Sequence, residues 1–478
     1  MLEYLNKLDE NETRLFEKYV KSPFFNSNKN LITLCEYLLS LYPDVNGKNS
    51  SKQMISQIVY NERKINDVKI RKLLSDYYKL FDKFMIQLHF EKEDVMNKVI
   101  LLNTFRKRGM NKRFELDYRE AVNSQKKSFS KDDEYYINEV NLLTEYYYYN
   151  HSKYKNEKAD CLQAKSDSLD MRYLFSKLHT FHEMFENEGT RNRGRYFNRG
   201  FYDEIMTFIE NNISLIKKEH PNVYIIYLVL KMNESFNDDH LNQLQSYLTL
   251  NQKKFPEGKM LYYYNYITSY FIKKINAGHN RYRKDLMDIY KKMYRDKLFL
   301  IDNIITDQEY NSVVNTALAQ KEYKWADRFI EEYKNYLEPS SSGDIFNLAK
   351  AKLLFHIKKY DEIFEYLTKI DNKDPSYYMN SKFLLGRVYF ETKNFESLDY
   401  IIYNLSQYNR NKKILSSEER KSILNFILFM VELAKIVLIN PLEKELRKSS
   451  KAILRKKLKN ADGFVPGRNW FNEKLDDI

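Results

Sequence analysis

The sequence predicts an all-α fold, on three observations: glycine and proline are scarce, helix-capping patterns recur, and apolar residues fall at helical spacing. The 478-residue chain holds 11 Gly and 8 Pro, about a third of ordinary usage. Hairpins, bulges and tight βα turns draw on those residues, which supply φ > 0 or fix φ. A sandwich, barrel or doubly wound sheet of this length needs more of them, whereas helices joined by short polar loops do not. Hydrophobic residues make up 43% of the chain and aromatics 15%. That is ample for a continuous core and excludes a disordered chain.

Taken in order, Asp9-x-x-Glu12 opens a first helix with a capping-box pattern, and Ser22-Pro23 stops it. A second helix covers about Asn30–Leu41 and ends at Tyr42-Pro43, and a third runs from about Lys52 to Tyr60. From Asp67 to about Phe90, residues Ile70, Leu73, Leu74, Tyr77, Leu80, Phe81 and Phe84 keep helical spacing. These elements form an expected N-terminal helical module, residues 1–92. Helical pairs are expected over 93–220, with a turn at Arg106–Arg113. A long helical pattern follows from Asp132 to about Glu188. Tyr146, Tyr147, Tyr148 and Tyr149 are consecutive within it and point to every side of a helix. A helix aromatic all round packs on more than one face. The Glu188–Gly200 segment reads as a loop.

Beyond Pro221 the chain reads as paired helices, about Val223–Ser235 with His240–Lys254 and Lys259–Asn276 with Tyr282–Lys297. Three similar segments follow. Lys-Glu-Tyr323-Lys-Trp-Ala326 recurs as Lys-Lys-Tyr360-Asp-Glu-Ile363 and as Lys-Asn-Phe395-Glu-Ser-Leu398, with the aromatics 37 and 35 residues apart. That period belongs to helix–turn–helix arrays. The array with its capping helices is expected over 221–460, and a C-terminal tail over 461–478.

Leu385-Gly386-Arg-Val-Tyr389, with Phe395 six residues on, resembles the tetratricopeptide repeat superfamily. Ala351, Tyr360 and Pro375 match that family's small residue, turn aromatic and terminal proline in the preceding repeat, and Val314, Tyr323 and Ala326 match in the first. The resemblance covers about residues 310–410. It implies a right-handed α-solenoid of antiparallel helix pairs. Ile363 and Leu398 stand where the family prefers Ala, which implies wider splay. Separately, Lys21-Ser-Pro-Phe-Phe-Asn-Ser-Asn-Lys29 resembles an N-terminal feature of uncharacterised helical proteins of the Bacteroidota, and that resemblance implies no activity.

The formal net charge is +13, but the excess is spread along the chain. Only residues 441–478 lean clearly basic, with ten Lys+Arg against six Asp+Glu. Nucleic-acid binders concentrate their charge on one face or segment. Cys35 and Cys161 are the only cysteines and form no Cys-x-x-Cys, which excludes a disulfide framework or a cysteine-built zinc site. The first ten residues are acidic and broken by charge, unlike a secretory signal. Ile423–Ile439 contains Glu432 and Lys435 and is too short and polar to span a bilayer. The expectation is a cytoplasmic protein with no membrane association.

Motifs of chemistry are sparse. No Gly-x-Gly-x-x-Gly, phosphate-binding Gly-x-x-x-x-Gly-Lys-Ser/Thr or Gly-x-Ser-x-Gly occurs, so no backbone cradle for a phosphate is visible. In His179-Thr-Phe-His182-Glu183-x-x-Glu186 the two histidines share a helix face that Glu186 continues, but the run lacks the His-Glu-x-x-His order of zincins and the Glu-x-x-His order of di-iron bundles. They read as polar residues on a half-buried helix. No catalytic residue, cofactor or metal is expected, and the chain is not read as an enzyme. Lys448–Lys459 carries six cations in twelve residues and no acid. It reads as the solvated face of a capping helix, or as a contact for nucleic acid or an acidic partner. The Arg191/Arg193/Arg195/Arg199 loop, with Tyr196 and Phe197, reads as a solvated loop or as a stacking surface for single-stranded bases. A DNA-binding helix–turn–helix over 49–90 is disfavoured by its long connection and its long apolar second helix.

The function expected is a non-catalytic protein-interaction scaffold, because stacked helix pairs make a concave groove. The alternative is a nucleic-acid-binding regulator using the basic helix and the Arg loop. In the resembling repeats the residue after the small position faces the groove. That places Asn315, Lys352 and Arg387 there, with Phe355, His356, Phe390 and Glu391 one turn on. Such a ladder suits an acidic peptide segment or a C-terminal carboxylate. Equally, Lys352 and Arg387 read as cations that keep an exposed face soluble.

Overall fold

The computed structural model describes residues 2–92, 94–153, 160–190, 197–235, 238–256, 258–301, 303–338, 341–370, 374–410, 415–440 and 442–478. Among the described residues the fold is all-α. No strand forms, and the one β-type contact is the isolated bridge Ile301–Ile304. No described helix is long and apolar enough to cross a membrane. The chain divides into two compact units, Met1–Leu230 and Lys231–Ile478.

The first unit opens with α1 (Glu10–Lys21), α2 (Lys29–Ser40), α3 (Lys52–Tyr60) and α4 (Asp67–Lys92). The Glu12 amide donates to the Asp9 carboxylate at 2.8 Å and the Asp9 amide donates back to Glu12 at 3.2 Å, completing the capping box. Phe16 is fully buried against the edge of Phe81 (5.3 Å) and against Phe84 (5.0 Å). The apolar side of α4 (Leu73, Tyr77, Leu80, Phe84) is used in this core.

Next come α5 (Asp94–Lys107), α6 (Asn111–Lys127), α7 (Asp133–Lys153) and α8 (Asp160–Thr190). The single helical stretch expected over 132–188 is therefore two helices, α7 and α8, packed on each other. The sequence between them contains neither Gly nor Pro, so no local signal punctuates it. The four consecutive tyrosines do face several neighbours. Tyr149 stacks on Phe114 at 4.0 Å, Tyr146 on Tyr118 at 4.5 Å, and Arg106 lies over the Tyr148 ring at 5.3 Å. Helices α9 (Tyr202–Asn211), α10 (Ile213–Glu219) and α11 (Pro221–Ser235) follow, and the unit boundary falls within α11.

The second unit continues with α12 (Asp238–Asn251), α13 (Lys259–Asn276), α14 (Tyr282–Arg295), α15 (Asp307–Ala319), α16 (Tyr323–Tyr333), α17 (Ser342–His356), α18 (Tyr360–Leu367), α19 (Pro375–Glu391) and α20 (Phe395–Asn409). It closes with α21 (Ser417–Leu438), α22 (Lys444–Lys459) and α23 (Arg468–Asp477). Recurrent lysine–aromatic segments make one recurrent turn. Lys321, Lys358 and Lys393 each adopt a left-handed conformation, with φ of 59°, 61° and 56°. The next amide in each case reaches back five residues: Glu322 to the Ala317 carbonyl (2.9 Å), Lys359 to Leu354 (2.9 Å), Asn394 to Tyr389 (2.8 Å). This is the Schellman arrangement that ends a helix, here built on lysine rather than glycine. Lys297 (φ 53°) ends α14 the same way, with Leu298 bonded to Met293 at 2.9 Å.

These turns set up a regular packing scheme. Helix α15 packs on α16, α17 on α18 and α19 on α20, while α15 also meets α17, α17 meets α19, and α19 meets α21. The small positions Val314, Ala351 and Gly386 are buried within it. Residues 461–478, read from the sequence as a tail, carry α23. Trp470, Phe471 and Leu475 recur at helical spacing and are all buried in the core of the last helices.

Candidate functional site

The turn geometry fixes the register of α15, α17 and α19, and with it one row of side chains. The Lys352 ammonium donates to the Asn315 side-chain oxygen at 3.1 Å, linking α17 to α15. Arg387, on α19, lays its guanidinium over the Phe355 ring of α17 at 4.9 Å and donates to the Phe383 carbonyl at 3.4 Å. Asn315, Lys352 and Arg387 thus run across α15, α17 and α19, the first helices of three successive pairs.

Both cations are half-buried. Burial, and then the nearby Arg387 charge, lower the Lys352 pKa to about 8. Burial lowers Arg387 to about 10, with Glu391 acting weakly in the opposite direction. The imidazole edge of His356 reaches solvent, but the protein around it and then Arg387 and Lys352 push its pKa down to about 4. Its ring sits 6.1 Å from Tyr323. Among the described residues, neither Lys352 nor Arg387 has a carboxylate within salt-bridge distance. Desolvated cations without a counter-charge are costly, and an anion placed between them relieves that cost.

The remaining expected groove residues have other roles. Phe355 is buried beneath Arg387. Phe390 is buried and packs edge-on against Trp470 at 5.3 Å. Glu391 accepts from the Trp470 indole at 2.6 Å and pairs with Lys474 at 3.1 Å. Helix α23 therefore closes this end of the row, and the backbone at Gly467 leaves less than a methyl's width beside Arg387: a Cβ there would stand 3.3 Å from the Arg387 Cδ. Expectation from sequence left out Trp470, Lys474 and Gly467. A Trp-Phe pair in an otherwise polar terminal segment is the signal that marks a docked helix.

The basic features read from the sequence are engaged differently. Arg199, in the connection after α8, stacks on the Phe185 ring at 3.8 Å and bonds to Glu188, so it folds back onto α8. Arg191, Arg193, Arg195 and Tyr196 lie outside the described residues. On α22, Leu454 and Leu458 are buried, Arg455 bonds Asp476, and Lys457 reaches Glu432 at 3.7 Å. His179 sits 3.4 Å from Glu183 on α8. Comparison with family models, with curated proteins and with solved structures gives no match to this chain.

Proposed function

We propose that the chain is a non-catalytic interaction scaffold, a right-handed α-solenoid of antiparallel helix pairs whose concave groove takes an acidic peptide segment or a C-terminal carboxylate. One observation carries the reading: Lys352 and Arg387 are half-buried, run along one row of α17 and α19, and have no carboxylate within salt-bridge distance among the described residues. Arginine binds a carboxylate bidentately and the ammonium adds a point charge. Asn315 accepts from the ammonium, and the guanidinium lies over the Phe355 ring. The recurrent turn and the contacts of α15 with α17 and α17 with α19 support a solenoid.

The test is a binding screen of the whole chain against acidic peptides with free or amidated C-termini, repeated with single-stranded and duplex oligonucleotides. The reading expects capture of acidic peptides and a modest salt dependence, from two charge contacts. Tight oligonucleotide binding with a steep loss of affinity in salt, and no peptide capture, would overturn it in favour of a nucleic-acid regulator.

A further inference from the structure

The Lys352–Arg387 row holds a reactive amine as well as two charges. Lys352 stands on α17 with Leu348 one turn before it and Phe355 one turn after, both buried. The Arg387 guanidinium, brought in by α19, covers that same Phe355 ring. Lys352 is half-buried, and its Nζ donates to the Asn315 side-chain oxygen at 3.1 Å.

Acids on the helices around α17 are engaged elsewhere. Asp327 and Glu331 of α16 pair with Lys350 at 2.5 and 2.6 Å. On α18, Glu362 pairs with Lys359 and Glu365 with Lys369. Glu391 of α19 is held by Trp470 and Lys474. Helix α15 presents the neutral Asn315. Among the described residues, Arg387 is the one charge that acts on Lys352. Burial and that charge hold the Lys352 ammonium at about 8, against 10.5 for an ordinary lysine. At neutral pH its uncharged fraction is therefore about 300-fold that of an ordinary lysine. A desolvated lysine beside another cation is an activated amine.

We propose that Lys352 is an acceptor for carbon dioxide: its amine forms a carbamate that takes the Arg387 guanidinium as counter-ion, and this modification closes the row to acidic ligands. Nζ first gives up the ammonium proton to solvent. Its lone pair then forms a bond to the carbon of carbon dioxide, one C=O π pair moves onto oxygen, and the nitrogen releases a second proton to solvent. The product is an N-carboxylate, and nothing is oxidised or reduced. Its remaining N–H donates to the Asn315 oxygen, as the ammonium does, and its carboxylate oxygens accept from Arg387. Two positive charges become one of each sign, which relieves the cost of two desolvated cations. The modification stands on the geometry of the row alone, whereas its effect on ligands rests on the peptide-binding reading above.

The test equilibrates the whole chain with isotopically labelled carbon dioxide and bicarbonate at constant pH and ionic strength. A trialkyloxonium salt then esterifies carbamates, so that they survive digestion and mass spectrometry. Trapped label is expected at Lys352, at least about tenfold above that at the exposed Lys358. Arg387→Gln removes both the activating charge and the counter-ion, and is expected to lower the trapped fraction at least about tenfold. Lys352→Arg gives the background, and circular dichroism verifies that both variants stay folded. A wild-type chain without label at Lys352 overturns the proposal, as does undiminished label in folded Arg387→Gln. Acidic-peptide affinity is then measured with and without carbon dioxide at one pH. It is expected to fall in the wild type and to stay level in Lys352→Arg. Unmoved affinity in a wild-type chain that carries the label overturns the closing of the row. Label at Lys352 in a chain that captures no acidic peptide overturns the peptide-binding reading and supports the acceptor site.

Discussion

Gly386 offers the sharpest perturbation of the packing that builds the binding row. A Cβ at this position would stand 3.0 and 3.1 Å from two ring carbons of Phe426 and 3.8 Å from Ile401. Carbon–carbon contacts settle at about 3.5–4.0 Å, so the overlap is about half an ångström. The Phe426 ring has no room to retreat, since it is fully buried, 4.8 Å from Phe383 and 6.1 Å from Phe471. Gly386→Ala gains about 1 kcal/mol of helix propensity and loses about 1–3 kcal/mol to overpacking. Its net effect is a loss of up to about 2 kcal/mol. Gly386→Leu gains almost as much propensity but adds three more carbons against the same ring, so its loss exceeds the alanine variant's and reaches about 2 kcal/mol or more. Urea unfolding followed by circular dichroism reads both variants. A leucine variant whose midpoint equals or exceeds that of the wild type would refute the close approach of α19 and α21.

Three further perturbations follow from the same structure. Lys352 is held at about 8, below the ordinary lysine value of 10.5, and a bound anion raises it again. Peptide affinity is therefore expected to be level below pH 8 and to weaken above it by at most about tenfold per pH unit. Lys352→Arg should abolish that dependence in titration calorimetry. His220 is held at about 4 instead of 6.5, chiefly by burial, while its ring bonds the Tyr136 hydroxyl at 2.8 Å. The unfolded chain takes up this proton and the folded chain does not, so stability is expected to fall as pH drops from 6.5 towards 4. The melting temperature of His220→Gln should fall less steeply over that window than the wild type's, and parallel curves would contradict the assignment. Trp470→Ala removes a buried ring and the donor to Glu391. A loss of about 3–5 kcal/mol is expected by chemical denaturation, and a neutral result would mean that α23 is not docked.

Helical class was legible because its signals are local. The Asp9–Glu12 cap, the scarcity of glycine and the spacing of Leu73, Tyr77, Leu80 and Phe84 each act within one or two turns. The lysine–aromatic period was legible for the same reason, since Lys321, Lys358 and Lys393 sit in short motifs that specify a turn. Missing punctuation hid the break between α7 and α8. The end of the binding row was not legible. Glu391 meets Trp470 and Lys474 across about eighty residues, and no local pattern records which partner a carboxylate finds through tertiary packing. The register of Asn315, Lys352 and Arg387 came from the repeat pattern. Their lack of a counter-charge is a property of the folded surface.

The most direct measurement of the central claim is calorimetric binding of a selected acidic peptide to the wild-type chain and to Lys352→Ala with Arg387→Ala. Each lost charge-assisted bond is worth about 1.5–3 kcal/mol, so the double variant should bind about 100-fold more weakly or worse, with helicity and cooperative melting intact. Undiminished binding by a folded double variant would contradict the account and place the ligand elsewhere.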